Sequence, residues 1–254
     1  MHKLDAPKEP EIWQAAVASH TTDYPKYGDK TEGERWTAFC SQHREAYAAA
    51  KEALSKEQRH TCAYCEISTI KNNYQIEHYI PKSTISADTD YTFLFSNFLL
   101  CCRGGANEHC KERGSYDENP NAKANHSCGD HKGATDPNNC CLNPYDLPSF
   151  SIFKAALTLD GIALAPDKSA CKRAGIPTQL VESTCKLLNL NCPRLCRIRK
   201  QTWDEIKQQI DATTTEDDLK KLVAKNLRKN IPFFTTALLC LSDEDPDLIP
   251  KSLR

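Results

Sequence analysis

The sequence predicts an α+β protein, mainly helical, with a small ββα unit embedded between helical segments. Three observations predict it. Trp36–Leu54 and the segments after Pro177 carry strong helix formers at helical spacing. A short run around Ile76 is rich in β-branched and aromatic residues. Eight of the fourteen cysteines fall between Cys62 and Cys141, around that run.

The elements are taken in chain order. Residues 1–58 form an N-terminal helical segment after an initial loop. Trp36 to Leu54 has an alanine-rich stretch among Lys and Glu, with no Pro or Gly, and reads as helix. Tyr24 to Gly33 carries glycine and charge and reads as loop. Residues 59–145 form the ββα unit. Cys62-Ala63-Tyr64-Cys65 is a knuckle-like turn, and Asn73–Ile80 is a short strand ended by Pro81. Residues 103–127 hold Gly104, Gly105, Gly114 and Pro120 and read as a long insertion. Cys128 to Asp136 opens a short helix, and Pro137 and Pro144 break the chain beyond it. Residues 146–254 form a mainly helical C-terminal region. It begins with a hairpin between Ser151 and Leu164, turning at Asp160-Gly161. Helices are expected at Gln179–Leu190, Arg194–Ile210 and Glu216–Lys229.

Composition excludes several classes. The 254 residues are 39% apolar and 26% charged, enough for a core and too apolar for wholesale disorder. No apolar run approaches the ~18 residues of a membrane span, and the polar start does not resemble a signal peptide. A cytoplasmic chain with no membrane partner is expected. The formal charge of −1 gives no global basic bias, so nucleic acid must be met by local patches. In a reducing compartment many cysteines indicate metal ligation or buried thiols. Cys40, Cys171, Cys185, Cys192, Cys196 and Cys240 are scattered and read as small hydrophobes.

Four fragments carry the chemistry: Cys62-x-x-Cys65, Ile76-Glu77-His78-Tyr79-Ile80-Pro81-Lys82-Ser83, Asn97-Phe98-Leu99-Leu100-Cys101-Cys102, and Cys128-Gly129-Asp130-His131-Lys132-Gly133. Each is weak alone; their order and spacing together are specific. Cys62 and Cys65 can reach one tetrahedral Zn²⁺. His78 has the residue type of a general base at neutral pH. Glu77 offers a hard oxygen suited to Mg²⁺ or Mn²⁺.

Taken together, the fragments resemble the zinc-stabilised, cysteine-containing HNH endonucleases. The resemblance is strongest to the PtuB type, the nuclease partners of ATPases in Septu and retron anti-phage defence systems. Leu142-Asn143-Pro144, Asp160-Gly161, Leu188-Asn189-Leu190-Asn191, Arg197 and Glu9-Pro10 also look like that branch, so the resemblance covers most of residues 5–200.

The resemblance implies a metal-dependent nuclease acting on DNA or RNA. His78 would be the base, and Glu77 and His131 would hold a catalytic Mg²⁺ or Mn²⁺. Asn97 would bond to the ring or backbone around His78. Cys62, Cys65, Cys102 and Cys128 would hold structural zinc, with Cys101 or Cys110 as alternatives to Cys102. Gly129 fills the place where many relatives put a metal-binding His or Asn, so that role moves to His131, with Asp130 as substitute.

Lys82, Arg103 and Lys132 would contact phosphates. Arg194, Arg197, Arg199 and Lys200 form a second basic cluster, which could meet nucleic acid, dock a partner or simply be solvated. His109, Cys110, His126, Cys140 and Cys141 could form a second metal site or a loop with incidental thiols. The implied partners are a PtuA-type ATPase and a retron reverse transcriptase with its RNA–DNA product, docking on the helical segments. The chain has no G-x-x-x-x-G-K-[ST] loop of its own.

Two other readings compete. A non-catalytic zinc module binding nucleic acid or protein would keep the four cysteines and owe nothing to His78. A thiol oxidoreductase built on Cys62-x-x-Cys65 would want a βαβ context and would leave Glu77-His78 unexplained.

Overall fold

The computed structural model describes residues 1–26, 28–69, 74–104, 125–227 and 232–253. Its architecture is α+β and mainly helical. Three helices come first: α1 (Glu11–Asp23), α2 (Glu32–Gln42) and α3 (Arg44–Glu57). Two expectations are corrected here. The Trp36–Leu54 segment is not one helix; it breaks at His43, whose backbone leaves the helical region (φ −114°, ψ 52°). The Tyr24–Gly33 loop is also shorter, because α2 starts at Glu32. The cause is a capping box, in which the Thr31 hydroxyl accepts from the Glu34 N–H and the Glu34 carboxylate accepts from the Thr31 N–H.

Strands β1 (Tyr74–His78) and β2 (Phe98–Cys102) pair antiparallel, with His78 opposite Phe98 and Tyr74 opposite Cys102. The pair separates two cores, as strand alternation allows. Ile76, Phe98 and Leu100 pack with Trp13, Phe39, Ala46, Ala50 and Leu54 of the N-terminal helices. Leu99 and Cys101 pack instead with the cysteine-rich side and the region after residue 140. Each large side chain so buried contributes about 1.5–3 kcal/mol. The five-residue helix α4 (Cys128–Lys132) packs on β2 from this second side.

The hairpin β3 (Phe153–Thr158) and β4 (Gly161–Pro166) lies on later helices. Its two-residue turn is Leu159-Asp160, one position earlier than expected, since Thr158 pairs with Gly161. Gly161 has φ +126°, and a Cβ there would lie 2.5 Å from the Cys196 carbonyl oxygen, so only glycine fits. Helices α5 (Lys168–Ala174), α6 (Thr178–Leu187), α7 (Pro193–Asp211), α8 (Glu216–Asn226) and α9 (Phe234–Glu244) complete the chain. Ile206, Val223, Phe234, Leu238 and Leu241 form a third core among α7, α8 and α9. Among the described residues no helix is long and apolar enough to cross a membrane.

Two polar knots tie these parts. Glu66, 2% exposed, sits just after the cysteine knuckle and accepts from the Thr235 N–H at 2.8 Å, from the Met1 ammonium and from the His2 ring. It thereby joins the knuckle to the start of α9. The second knot involves Arg194 and Arg199 of the Arg194, Arg197, Arg199 and Lys200 cluster, both of which are buried. Arg199 is 2% exposed and donates to the Leu190 and Ile162 carbonyls. Arg194 is buried and donates to the Ser127 hydroxyl at 2.8 Å. Lys200 pairs with Asp204 at 2.6 Å. Arg199 and Arg194 staple α7 to β4 and to the segment before α4.

Candidate active site and metal centre

Five cysteine sulfurs converge where the knuckle, β2 and α4 meet, and all five side chains are buried. Cys62 Sγ lies 3.9 Å from Cys101 Sγ and 3.9 Å from Cys128 Sγ, and Cys65 Sγ lies 3.7 Å from Cys102 Sγ. Four Zn–S bonds of about 2.3 Å in a tetrahedron put the sulfurs about 3.8 Å apart. The thiols are therefore already spaced as a zinc site requires.

The sulfurs of Cys62, Cys101, Cys102 and Cys128 all lie within 4.8 Å of one another. Cys101 thus stands in the group where the sequence reading put Cys65, while Cys65 keeps its contact with Cys102. Cys110 lies outside the described residues. Burial opposes charge on Cys62, yet bonds from the surrounding thiols hold its pKa well below the ordinary thiol value. A buried group of thiols favouring one thiolate is the donor chemistry of a closed structural zinc site. The Gly129 N–H donates to Cys101 Sγ at 3.4 Å, as the first turn of α4 meets the cluster.

Beyond the cluster, the end of β1 opens into a cleft of about 590 Å³ lined by Glu32, Trp36, Glu77, His78, Lys82 and Gly133. Glu77 and His78 are adjacent on a strand and face opposite ways; both reach the cleft because β1 stops at His78. His78 sits between the rings of Trp36 and Phe98, with centroids 4.6 and 5.0 Å away. Its Nε2 meets the Thr92 carbonyl at 3.0 Å. A carbonyl only accepts, so Nε2 carries the proton and Nδ1 is left as acceptor. Burial, then Lys82 and Lys132, push the His78 pKa down to about 4, so the ring is neutral at pH 7.

Glu77 faces α4. Its Oε1 lies 2.9 Å from Lys132 Nζ. A Cβ on Gly129 would fall 2.3 Å from Glu77 Oε2. That close approach explains why glycine occupies this position. Burial raises the Glu77 pKa against the pull of Lys132.

Asn97 ends a short 3-10 turn (Phe95–Asn97). Its Oδ1 accepts from the Ile80 N–H at 2.8 Å, and its Nδ2 donates to the Ile80 and Tyr91 carbonyls. It pins the backbone just beyond His78 and does not touch the ring.

Other expected site residues are placed differently. His131 is exposed and its Nδ1 faces the Leu187 carbonyl at 2.9 Å, so the structure does not bring it to Glu77. Asp130 pairs with His126 at 2.8 Å. Lys132 is 2% exposed and donates to the His78 and Tyr79 carbonyls at 3.1 and 3.2 Å. It is an internal clamp on the end of β1, out of reach of a phosphate. Lys82 is half-buried on the cleft wall and Arg103 is exposed.

Of the second-site candidates, His109 and Cys110 lie outside the described residues. Cys140 bonds to the Asp136 carbonyl and Cys141 is buried. Sequence reasoning missed Thr92, Glu32 and Arg35, which lie 14, 46 and 43 positions from His78. The Thr31-x-x-Glu34 capping box was the one local signal that placed α2.

The donor sets decide which metals fit. The cysteines fit zinc. At the cleft, Glu77 and Glu32 offer hard oxygens, and Glu32 is engaged by Arg35 and the Thr92 hydroxyl. Mg²⁺ is commonly held by one or two carboxylates, with water and substrate phosphates completing the shell. Glu77 fits that pattern, while His131 is not among the residues lining the cleft.

The chain is 30% identical over 175 residues, 61% of its length, to the Escherichia coli protein named "Retron Ec83 putative HNH endonuclease". The match spans 64% of that relative's length, less than two thirds. The similarity supports the HNH nuclease resemblance of the motifs. No family model and no solved structure matches the chain.

Proposed function

We propose that this chain is an HNH-type endonuclease that hydrolyses phosphodiester bonds of DNA or RNA, with β1, β2 and α4 as its ββα unit. The observation that carries the reading is His78. It is a neutral imidazole with one nitrogen committed to a carbonyl and the other left as acceptor, at the wall of a cleft beside a carboxylate. A water proton would pass to Nδ1 as the water oxygen attacks phosphorus and the bond to the leaving oxygen breaks. Asn97 and Lys132 hold the backbone on which His78 rides. Glu77 is the residue that would hold a divalent ion, which stabilises charge on the phosphate. Lys82 and Arg103 would position the nucleic-acid backbone. Cys62, Cys128 and Cys102, with Cys65 or Cys101, would hold zinc. The motifs, and the relative named for a retron, support a finer reading. In it the chain is a PtuB-type effector working with a PtuA-type ATPase, and in retrons with the reverse transcriptase and its product, in cytoplasmic anti-phage defence.

The test is cleavage of supercoiled plasmid and total tRNA by wild type and His78→Ala, with Mg²⁺, Mn²⁺ or EDTA. Wild type is expected to cut one substrate with a divalent ion, and EDTA or His78→Ala to abolish cutting. Equal cutting by both proteins sinks the role of His78. No cutting by either, with the ATPase added, favours the second reading, a non-catalytic zinc module. The placement of Lys132 on Glu77, with His131 elsewhere, speaks for that second reading.

A further inference from the structure

His78 is oriented by a carbonyl, and that carbonyl is itself held. The Thr92 N–H donates to Asp90 Oδ1 at 3.1 Å, and the Thr92 hydroxyl donates to Glu32 Oε2 at 2.7 Å. Both carboxylates converge on one guanidinium. Arg35 Nη2 donates to Asp90 Oδ2 at 2.7 Å, and Nη1 donates to the Glu32 carboxylate. Arg35 Nε donates to the Tyr24 carbonyl at 3.0 Å, and the Phe93 ring centroid lies 5.0 Å from the guanidinium carbon. Arg35 and Thr92 are both 0% exposed. The next residue of α2, Trp36, sets its ring edge-on to His78 at an interplanar angle of 81°.

A fully buried arginine between two carboxylates is a poor device for stability alone. Desolvation offsets much of the attraction, and apolar residues of similar volume often serve as well. What a guanidinium supplies is geometry, because its planar fork fixes two carboxylates at set distances. Here those carboxylates hold the two polar groups of Thr92 that flank its carbonyl. We propose that Arg35, acting through Glu32, Asp90 and Thr92, is the positioning residue that fixes the tautomer and ring orientation of His78. On this account α2 is part of the catalytic machinery, in addition to any docking role of residues 1–58. The proposal rests on His78 acting as the base, but its geometric part can be read without turnover.

The test uses the full chain with Thr92→Val, Glu32→Gln and Arg35→Lys. Thr92→Val removes the hydroxyl and keeps the shape. Glu32→Gln keeps the shape and removes the charge. Arg35→Lys keeps the charge and loses the fork. The first readout is the ¹⁵N and ¹H signature of the His78 ring without substrate, assigned by its disappearance in His78→Gln. Wild type is expected to show a single Nε2–H tautomer, and all three variants a mixture. The second readout is cleavage. The expected result is a kcat lowered on the order of tenfold to a hundredfold, with KM for nucleic acid unchanged.

A role confined to stapling α2 would lower melting temperature and leave tautomer and kcat alone. Wild-type tautomer in all three variants overturns the proposal. If wild type shows no nuclease activity even with the ATPase added, the nuclease reading fails, while the ring signature still decides what Arg35 does.

Discussion

Replacing Cys62 or Cys128 by serine is expected to remove bound zinc and unfold the region around the knuckle, β2 and α4. The reason is that the cysteine cluster is where three short elements, the knuckle, β2 and α4, are joined. Helix α4 has five residues, far below the ~12–15 at which an isolated helix becomes even marginal in water. Strands β1 and β2 have five residues each, and a lone two-stranded pair is marginal as well. Cys128 itself has φ +60°, an uncommon conformation for a non-glycine residue that its surroundings must enforce. Structural zinc contributes about 10–16 kcal/mol in small domains, against about 5–15 kcal/mol for a whole domain's stability. Losing it therefore decides the outcome.

The check is zinc content by atomic absorption, with circular dichroism melts of wild type, each variant and chelator-treated protein. A wild type without zinc, or serine variants that melt with wild-type cooperativity and midpoint, would sink the claim. Cys40→Ser, away from the cluster and half-buried, should behave as wild type.

Lys132→Met should be strongly destabilising. Its ammonium lies 2.9 Å from Glu77 Oε1 and donates to the carbonyls of His78 and Tyr79. Methionine fills similar volume, so the loss is electrostatic. It strands a carboxylate that burial already penalises. Breaking a buried pair by deleting one partner costs about 3–5 kcal/mol. The double variant Glu77→Gln/Lys132→Met removes both charges and should recover much of that loss. Urea titrations of the four proteins give the coupling directly. If the double variant loses as much as the sum of the singles, the pair is not coupled and the clamp is misassigned. Cleavage should fall in Lys132→Met even at temperatures where it stays folded, because the backbone carrying His78 loses its anchor.

The sequence made legible whatever depends on residue type at short spacing. Two cysteines three apart, a Glu-His pair before a proline and an Asn before an apolar run are each weak alone, but their order along the chain is readable. Strand β1 is legible because its partial alternation of polar and apolar residues ends at Pro81. The break at His43 carried no Pro or Gly to announce it, and the continuous run of alanines and charges reads as one helix. The contacts of Arg35 with Asp90, and of Glu32 with Thr92, span 55 and 60 positions. No local pattern encodes such a distance. Lys132 and Arg199 were misjudged for another reason. A basic residue is usually solvated, and only the fold reveals the carbonyls that replace its water.

The β1–β2 pairing also acts as a lock on chemical identity. Neighbouring positions on β1 serve different compartments: Ile76 and His78 meet the aromatic side, and Glu77 meets the lysine side. Sliding β1 by a single residue against β2 would exchange the two sets, because side chains alternate with a period of two. The carboxylate would then fall among Trp36 and Phe98, and the imidazole against an ammonium. Within Tyr74–His78, one residue more or fewer would leave a strand of nearly the same composition with its acid and base interchanged.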